Sequence, residues 1–201
     1  KYKGEDLQKI TKKTAGIILE TIQGGAGFIE PKNDFLKKVR QRCNETGTVM
    51  ILDEIQPGFG RTGKLFGFQN YDIVPDVVVM GKGMASGMPV GAFTASAEMM
   101  DLLSHDPKLG HITTFGGHPV IAAAGLATAK EIATSDLIIE SIRKEKLIKK
   151  HLQHSKIKEI RGKGLMLAAF VETPELAAKI IHKCLENGLI LFFLLFEGKA
   201  M

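Results

Sequence analysis

An α/β fold with a mainly parallel sheet is predicted by three features of the chain. Two β-branched runs, Val49-Met50-Ile51-Leu52 and Val77-Val78-Val79-Met80, have the uninterrupted apolar character of buried parallel strands. Each run breaks into glycine-rich turn, Pro57-Gly58-Phe59-Gly60-Arg61-Thr62-Gly63 after the first and Gly81-Lys82-Gly83 after the second. Helical patterns alternate with the runs, as strand–helix units require.

The elements follow in order. Ala15-Gly16-Ile17-Ile18-Leu19-Glu20 reads as a strand, and Gln23–Gly27 as a turn, because glycine adopts positive φ without steric cost. Asn33 is expected to cap a helix running to about Glu45, with Phe35, Leu36 and Val39 on its apolar face. Strand Val49–Leu52, a long loop to Gly67, strand Val77–Met80 and a further strand over Val90–Ala95 come next. Ala97–Ser104 reads as helix, His105–Pro119 as loop, and Val120–Ala133 as an alanine-rich helix. Asp136 opens another helix, to about His154. The tail reads as strand Leu165–Phe170, helix Pro174–Asn187 and strand Leu189–Phe196. That change of layout predicts a domain change near Asp136–Ile142, with residues 1–138 in a large domain and 139–201 beginning a smaller α/β domain.

Composition narrows the function classes. A hydrophobic content of 44% and few prolines fit a globular chain rather than a disordered one. The formal charge of +5 is dispersed along the helices, so no basic tail for nucleic acid stands out, while a mildly positive site suits a phosphate. Cys43 and Cys184 are far apart in helical patterns and read as reduced thiols. The longest apolar run, Leu189 to Phe196, is too short to span a membrane, and no secretory segment is present; the expected address is cytoplasmic. The histidines and cysteines never cluster as zinc ligands do, so no metal is expected. Both ends read as cut, so the chain is expected to be a fragment.

Asp53 and Lys82 carry the chemistry. Both stand at the ends of expected strands, facing the crevice where α/β folds bind ligands. An amine and a carboxylate there meet the needs of pyridoxal 5'-phosphate: the amine forms the Schiff base, and the carboxylate keeps the pyridine nitrogen protonated so that the ring accepts electrons. A carboxylate entering a core also needs a partner, because unpaired burial is costly. Taken singly, Lys82 is compatible with a surface lysine in a glycine turn, and Asp53 with a capping aspartate.

Three ordered motifs carry a resemblance. Leu52-Asp53-Glu54-Ile55-Gln56-Pro57-Gly58-Phe59-Gly60-Arg61-Thr62-Gly63-Lys64, then Gly81-Lys82-Gly83, then Thr113-Thr114-Phe115-Gly116-Gly117-His118-Pro119 resemble the class III aminotransferases, from about Glu20 to the last residue. The resemblance implies a fold-type I pyridoxal-phosphate-dependent enzyme. It would transfer an amino group between an amino acid, acetylornithine-like by the nearest likeness, and a 2-oxo acid such as 2-oxoglutarate. By this resemblance Lys82 is the catalytic lysine and proton shuttle. Asp53 pairs with the ring nitrogen, Ile55 packs on the ring, and Gln56 bonds the phenolic oxygen. Thr114 binds the cofactor phosphate across the interface of a homodimer with shared active sites. Ile55 would look the same as plain core, and Gln56 the same as a solvated turn residue. An aminomutase, decarboxylase or racemase on the same cofactor, or an inactive binding module, are the rival readings.

The chain departs from the family pattern in places. Glu20 matches the first glutamate of its Glu-Pro-Val-Gln-Gly-Glu-Gly motif, but Thr21 replaces the proline and Gly25 the second glutamate. In ornithine- and 4-aminobutyrate-type enzymes that second glutamate pairs with a substrate-binding arginine, so its loss puts an ω-amine donor in doubt. His118 stands where asparagine is common and is given a structural role. Arg61 and Arg161, in Gly-Arg-Thr-Gly and Arg-Gly-Lys-Gly, are read as loop- and turn-stabilising rather than as substrate clamps. By the resemblance, the carboxylate-binding arginine lies beyond Met201.

Overall fold

The computed structural model describes residues 4–194 and 196–201, with Glu5 described by its main chain alone. Strands β1 (Gly16–Glu20), β2 (Val49–Asp53), β3 (Val77–Met80) and β4 (Ala92–Thr94) form one sheet in sequence order. The first three are parallel, with Glu20 opposite Asp53 and Asp53 opposite Val79; β4 runs antiparallel to β3. Consequently the chain leaves β1, β2 and β3 at the same edge, and their following loops gather there.

Helix α1 (Phe35–Thr46) covers one face. Its buried Leu36, Val39 and Cys43 pack with Met50 and Leu52 of β2, and with Ile10 and Ile73. Alternation along a strand decides which residues take part: Met50 and Leu52 are fully buried, whereas Val49, Ile51 and Asp53 point to the other, partly open face. The helix starts one residue later than Asn33 as cap suggested. Asn33 and Asp34 both adopt positive φ (55° and 56°) in a tight turn, a conformation their short polar side chains tolerate, and Asp34 makes no side-chain cap. Gly47, at φ 72°, closes the other end.

Helix α2 (Ala97–His105) is capped by Ser96, whose Oγ accepts from Met99 N at 3.3 Å. Helices α3 (Pro119–Thr134) and α4 (Leu137–His151) follow. The expected domain division falls within the first turn of α4. Beyond it, β5 (Glu159–Lys163) and β6 (Met166–Phe170) make an antiparallel hairpin, and α5 (Pro174–Glu186) is capped by Thr173.

Two tail expectations need correction. Arg161–Gly164, read as a turn with a structural arginine, lies mostly in the strand Glu159–Lys163; the turn begins only at Gly164, which takes φ 61°. Leu189–Phe196, read as a strand, has no strand among its described residues. The open edge of β6 is instead occupied by the last residues: Ala169 and Met201 exchange main-chain bonds of 2.9 and 3.1 Å, and Val171 N donates to Lys199 O at 2.9 Å. With that edge filled, Ile190 and Phe192 are left exposed, while Leu194 is buried against Ala168, Phe170 and Ala200. An apolar cleft of about 1380 Å³ opens between α4, the hairpin and α5, lined by Ile148, Leu152, Ile160, Leu167 and Ile180.

Candidate active site

The C-terminal edge of the parallel strands brings together most of the residues singled out in the sequence. Asp53 ends β2, and its Oδ1 accepts from Ile55 N at 2.9 Å, which bends the chain out of the sheet. Among the described residues, Asp53 Oδ2 has no hydrogen-bond or ion-pair partner, and neither has Lys82 Nζ. Lys82 follows β3 after Gly81 and opens a short 3₁₀ turn, Lys82–Ala85. It is exposed, and its φ of 41° is a left-handed conformation that a lysine rarely adopts. Such strain persists where surrounding structure enforces it, and it clusters at functional sites.

The surroundings are identifiable. Gly81 is buried with the Ile55 side chain close by: a Cβ on Gly81 would lie 3.5 Å from Ile55. A Cβ on Gly83 would lie 3.3 Å from Phe59. On the far side, α3 approaches Met84 closely enough that a Cβ on Gly125 would lie 3.8 Å from the Met84 carbonyl. The Lys82 turn is thus held between the loop after β2 and helix α3. Ile55 is in turn rather than strand, so it meets the β3 exit instead of continuing the Asp53 face.

Gln56 reaches the loop after β1. Its Oε1 occupies the space that a Cβ on Gly24 would fill, and Glu20 Oε2 accepts from Gly24 N at 2.8 Å. Gly25 lies against the Phe196 ring, whose nearest atom would be 3.0 Å from an added Cβ. Three strand exits therefore converge through Glu20–Gly24, Asp53–Gln56 and Gly81–Lys82.

Thr114 stands apart. It lies in an exposed turn before α3, beside Phe115 and Ile112, both exposed, and no described contact joins it to Asp53 or Lys82. His118 caps α3 through Nδ1, which accepts from Val120 N at 3.3 Å. Arg61 meets the hairpin through its main chain, its carbonyl accepting from Leu165 N at 2.8 Å. Arg161 forms a two-pronged pair with Glu159, lies 4.1 Å over the Phe170 ring and reaches Gly27 O at 3.4 Å, which are structural contacts. None of the strand-exit residues lines the large apolar cleft.

Sequence reasoning missed Glu54. Its side chain is fully buried, and its carboxylate accepts from Thr21 Oγ1, Gly67 N (2.7 Å) and Phe68 N (2.9 Å). Strand alternation was the available signal, since it aligns Glu54 with the buried Met50 and Leu52 rather than with Asp53. Burial pushes its carboxyl above the ordinary value, against the opposing pull of the three hydrogen bonds. Cys43 is a free thiol, raised by burial, and Cys184 is free and half-buried. Among the described residues, no group of His, Cys, Asp and Glu is arranged to hold a metal ion, and no helix is long and apolar enough to cross a membrane.

The family model for class III aminotransferases matches residues 3–194. The chain belongs to that family. It is 39% identical over 190 residues to acetylornithine aminotransferase of Caldanaerobacter subterraneus subsp. tengcongensis, covering 92% of this chain and 47% of that protein. It is 36% identical over 193 residues to leucine/methionine racemase of Thermococcus litoralis, covering 90% and 43%. The structure of ornithine aminotransferase from Toxoplasma gondii, described with partial occupancy of PLP at its active site, superposes with a TM-score of 0.84 at 30% identity, covering 98% of this chain and 46% of that one. The chain spans about half the length of the curated relatives it matches. Its mainly parallel sheet is that of the fold-type I enzymes, which the family's dependence on pyridoxal phosphate accompanies.

The donor set fits that cofactor. Among the described residues, one amine and one carboxylate oxygen at the strand edge are free of protein partners, and the Gln56 amide lies over Gly24 in the neighbouring loop.

Proposed function

We propose that these residues supply the covalent anchor and the ring-nitrogen partner of a pyridoxal-phosphate-dependent aminotransferase that moves an amino group between an amino acid and a 2-oxo acid. The supporting observation is the pair at the strand exits: Lys82 Nζ and Asp53 Oδ2, neither engaged by the protein, with Lys82 held at φ 41°. When bound, the cofactor supplies an aldehyde that takes up an amine and a ring that accepts electrons from the substrate. Lys82 would hold the cofactor through its amine and would carry a proton to and from the substrate carbon. Asp53 keeps a proton on the ring nitrogen by charge. Gln56 donates toward the ring oxygen, and Ile55 presents an apolar surface beside it.

An acetylornithine-like donor is favoured by the relatives' names, and 2-oxoglutarate is the 2-oxo acid we propose as acceptor. Thr114, in its exposed turn among exposed apolar neighbours, suits a phosphate contact made to a second copy, so the working form is a cytoplasmic homodimer. The similarity to a leucine/methionine racemase supports one second reading, racemisation at the same lysine and carboxylate. A dependence of turnover on added 2-oxo acid separates transfer from racemisation.

Borohydride reduction of the full-length protein in the presence of pyridoxal phosphate, followed by peptide mapping, tests the anchor. The pyridoxyl label is expected on Lys82. A label on another lysine would overturn the assignment.

A further inference from the structure

Three chain segments meet on one buried carboxylate. Thr21 follows the last residue of β1, and Gly67 and Phe68 close the long loop after β2; all three donate to Glu54. The Glu54 main chain is committed as well, its N donating to Val79 O at 2.9 Å and its carbonyl accepting from Gly58 N at 3.0 Å. The three groups bonded to the carboxylate are all donors and favour its ionised form, against the burial that opposes it. An apolar side chain there would leave two main-chain N–H groups and a buried hydroxyl without this acceptor.

We propose that Glu54 is a positioning residue for the cofactor site, acting through Asp53 and Gln56. By tying the exit of β1 and the far end of the β2–β3 loop to the exit of β2, its side chain fixes the Asp53–Gln56 corner, although it points away from the face that Asp53 presents. The inference rests on the reading of Asp53 as the partner of pyridoxal phosphate. The amide of a Glu54→Gln variant keeps one acceptor oxygen, so its NH₂ group must confront either the Gly67 N–H or the Thr21 and Phe68 donors. Thr21→Val removes one donor at constant volume and leaves the carboxylate in place.

The experiment compares full-length wild type with Glu54→Gln, Thr21→Val, Asp53→Asn and Asp76→Asn. It measures the Kd for pyridoxal phosphate by absorbance, kcat and KM at saturating cofactor, and the melting temperature without cofactor. Glu54→Gln is expected to raise Kd and lower kcat about tenfold each, because small displacements of catalytic groups are costly. Thr21→Val should do so about threefold, the scale of a single hydrogen bond. Asp76→Asn, at the opposite end of the sheet, should lower the melting temperature and leave Kd unchanged. Wild-type Kd and kcat in both Glu54→Gln and Thr21→Val overturn the inference, whatever their melting temperatures. Where Glu54→Gln does not fold, Thr21→Val decides by the same measures. Failure of the wild type to take up pyridoxal phosphate removes the reading itself, and the inference with it. An impaired Asp53→Asn beside unimpaired Glu54→Gln and Thr21→Val removes the inference alone.

Discussion

The two ends of the parallel sheet use carboxylates in different ways. At the end where the strands begin, Asp76 is tied to both a main chain and a cation: its Oδ2 accepts from Met50 N at 2.7 Å and pairs with Arg40 Nη1 at 2.8 Å. Thr48 stitches the same edge, bonding Thr14 O at 3.0 Å and sharing a 2.7 Å contact with the Thr46 hydroxyl. At the end where the strands finish, Asp53 keeps one oxygen free of protein partners, Lys82 keeps its amine free, and the backbone of Lys82 is strained. Glu54, with both carboxylate oxygens bonded, follows Asp53 directly. Satisfied hydrogen bonds hold a sheet together, while groups held in place but left without partners are available to a ligand. On the proposed reading, that difference marks the cofactor end.

The sharpest way to break the comparison is to make the same substitution at both ends. Asp53→Asn keeps volume and removes charge, and turnover of the full-length enzyme is expected to fall by about two or more orders of magnitude, as electrostatic stabilisation of a charged centre implies. Asp76→Asn should instead cost about 1–3 kcal/mol of stability, since a charge-assisted bond from Arg40 and a main-chain bond are both weakened. Its turnover per folded molecule should match wild type. If denaturant unfolding and steady-state kinetics showed the reverse assignment, the functional end would have been misplaced.

Much of this site was legible because strand exits leave a strong local signature. An apolar run followed by a charged residue and then glycine located Asp53 and Lys82 without tertiary information. Gln56 and Ile55 were named from the motif, but their contacts with Gly24 and Gly81 depend on how separate loops pack, which no local pattern encodes. Thr21 looked only like a departure from the family motif; the structure gives its hydroxyl a partner on a neighbouring strand exit. The strand expected at Leu189–Phe196 failed for a related reason. Apolar character there is genuine, but pairing depends on which segment reaches the β6 edge, and Lys199–Met201 does so. Glu159–Lys163 was missed because its charged and glycine residues mask a strand of which one face is open.

A milder intervention sharpens the contrast between stability and site geometry. Gly24 has no positive φ, so alanine is acceptable to the backbone, yet its Cβ would fall 1.8 Å from Gln56 Oε1. The flexible amide end must move, which costs the fold little, less than about 1 kcal/mol. The displaced Gln56 should weaken pyridoxal phosphate binding by about three- to tenfold. Unchanged cofactor affinity and absorbance in Gly24→Ala would show that Gln56 has no part in holding the ring.

The smallest expected effect is a pH dependence carried by Glu54. Burial raises the folded Glu54 value above its ordinary 4.5. A raised carboxyl contributes stability that is fully present below the unfolded value and is lost as pH rises through the folded one. The Glu54→Gln variant does not titrate at this position. The wild-type melting temperature should therefore gain on that of the variant as pH is lowered toward 4.5, by roughly a few degrees at most. Asp53, which also raises the Glu54 value, is the charged neighbour that accompanies this change. Tyr71 stays neutral throughout, because burial and then the Glu30 charge push its hydroxyl well above its ordinary range. Glu45, Glu140 and Glu159, each lowered by an arginine, contribute the opposite trend but do so equally in both proteins, so they cancel in the difference. A difference that stays flat, or shrinks as pH falls, would mean that the three donors outweigh burial. Glu54 would then be as stabilising to its end of the sheet as Asp76 is to the other.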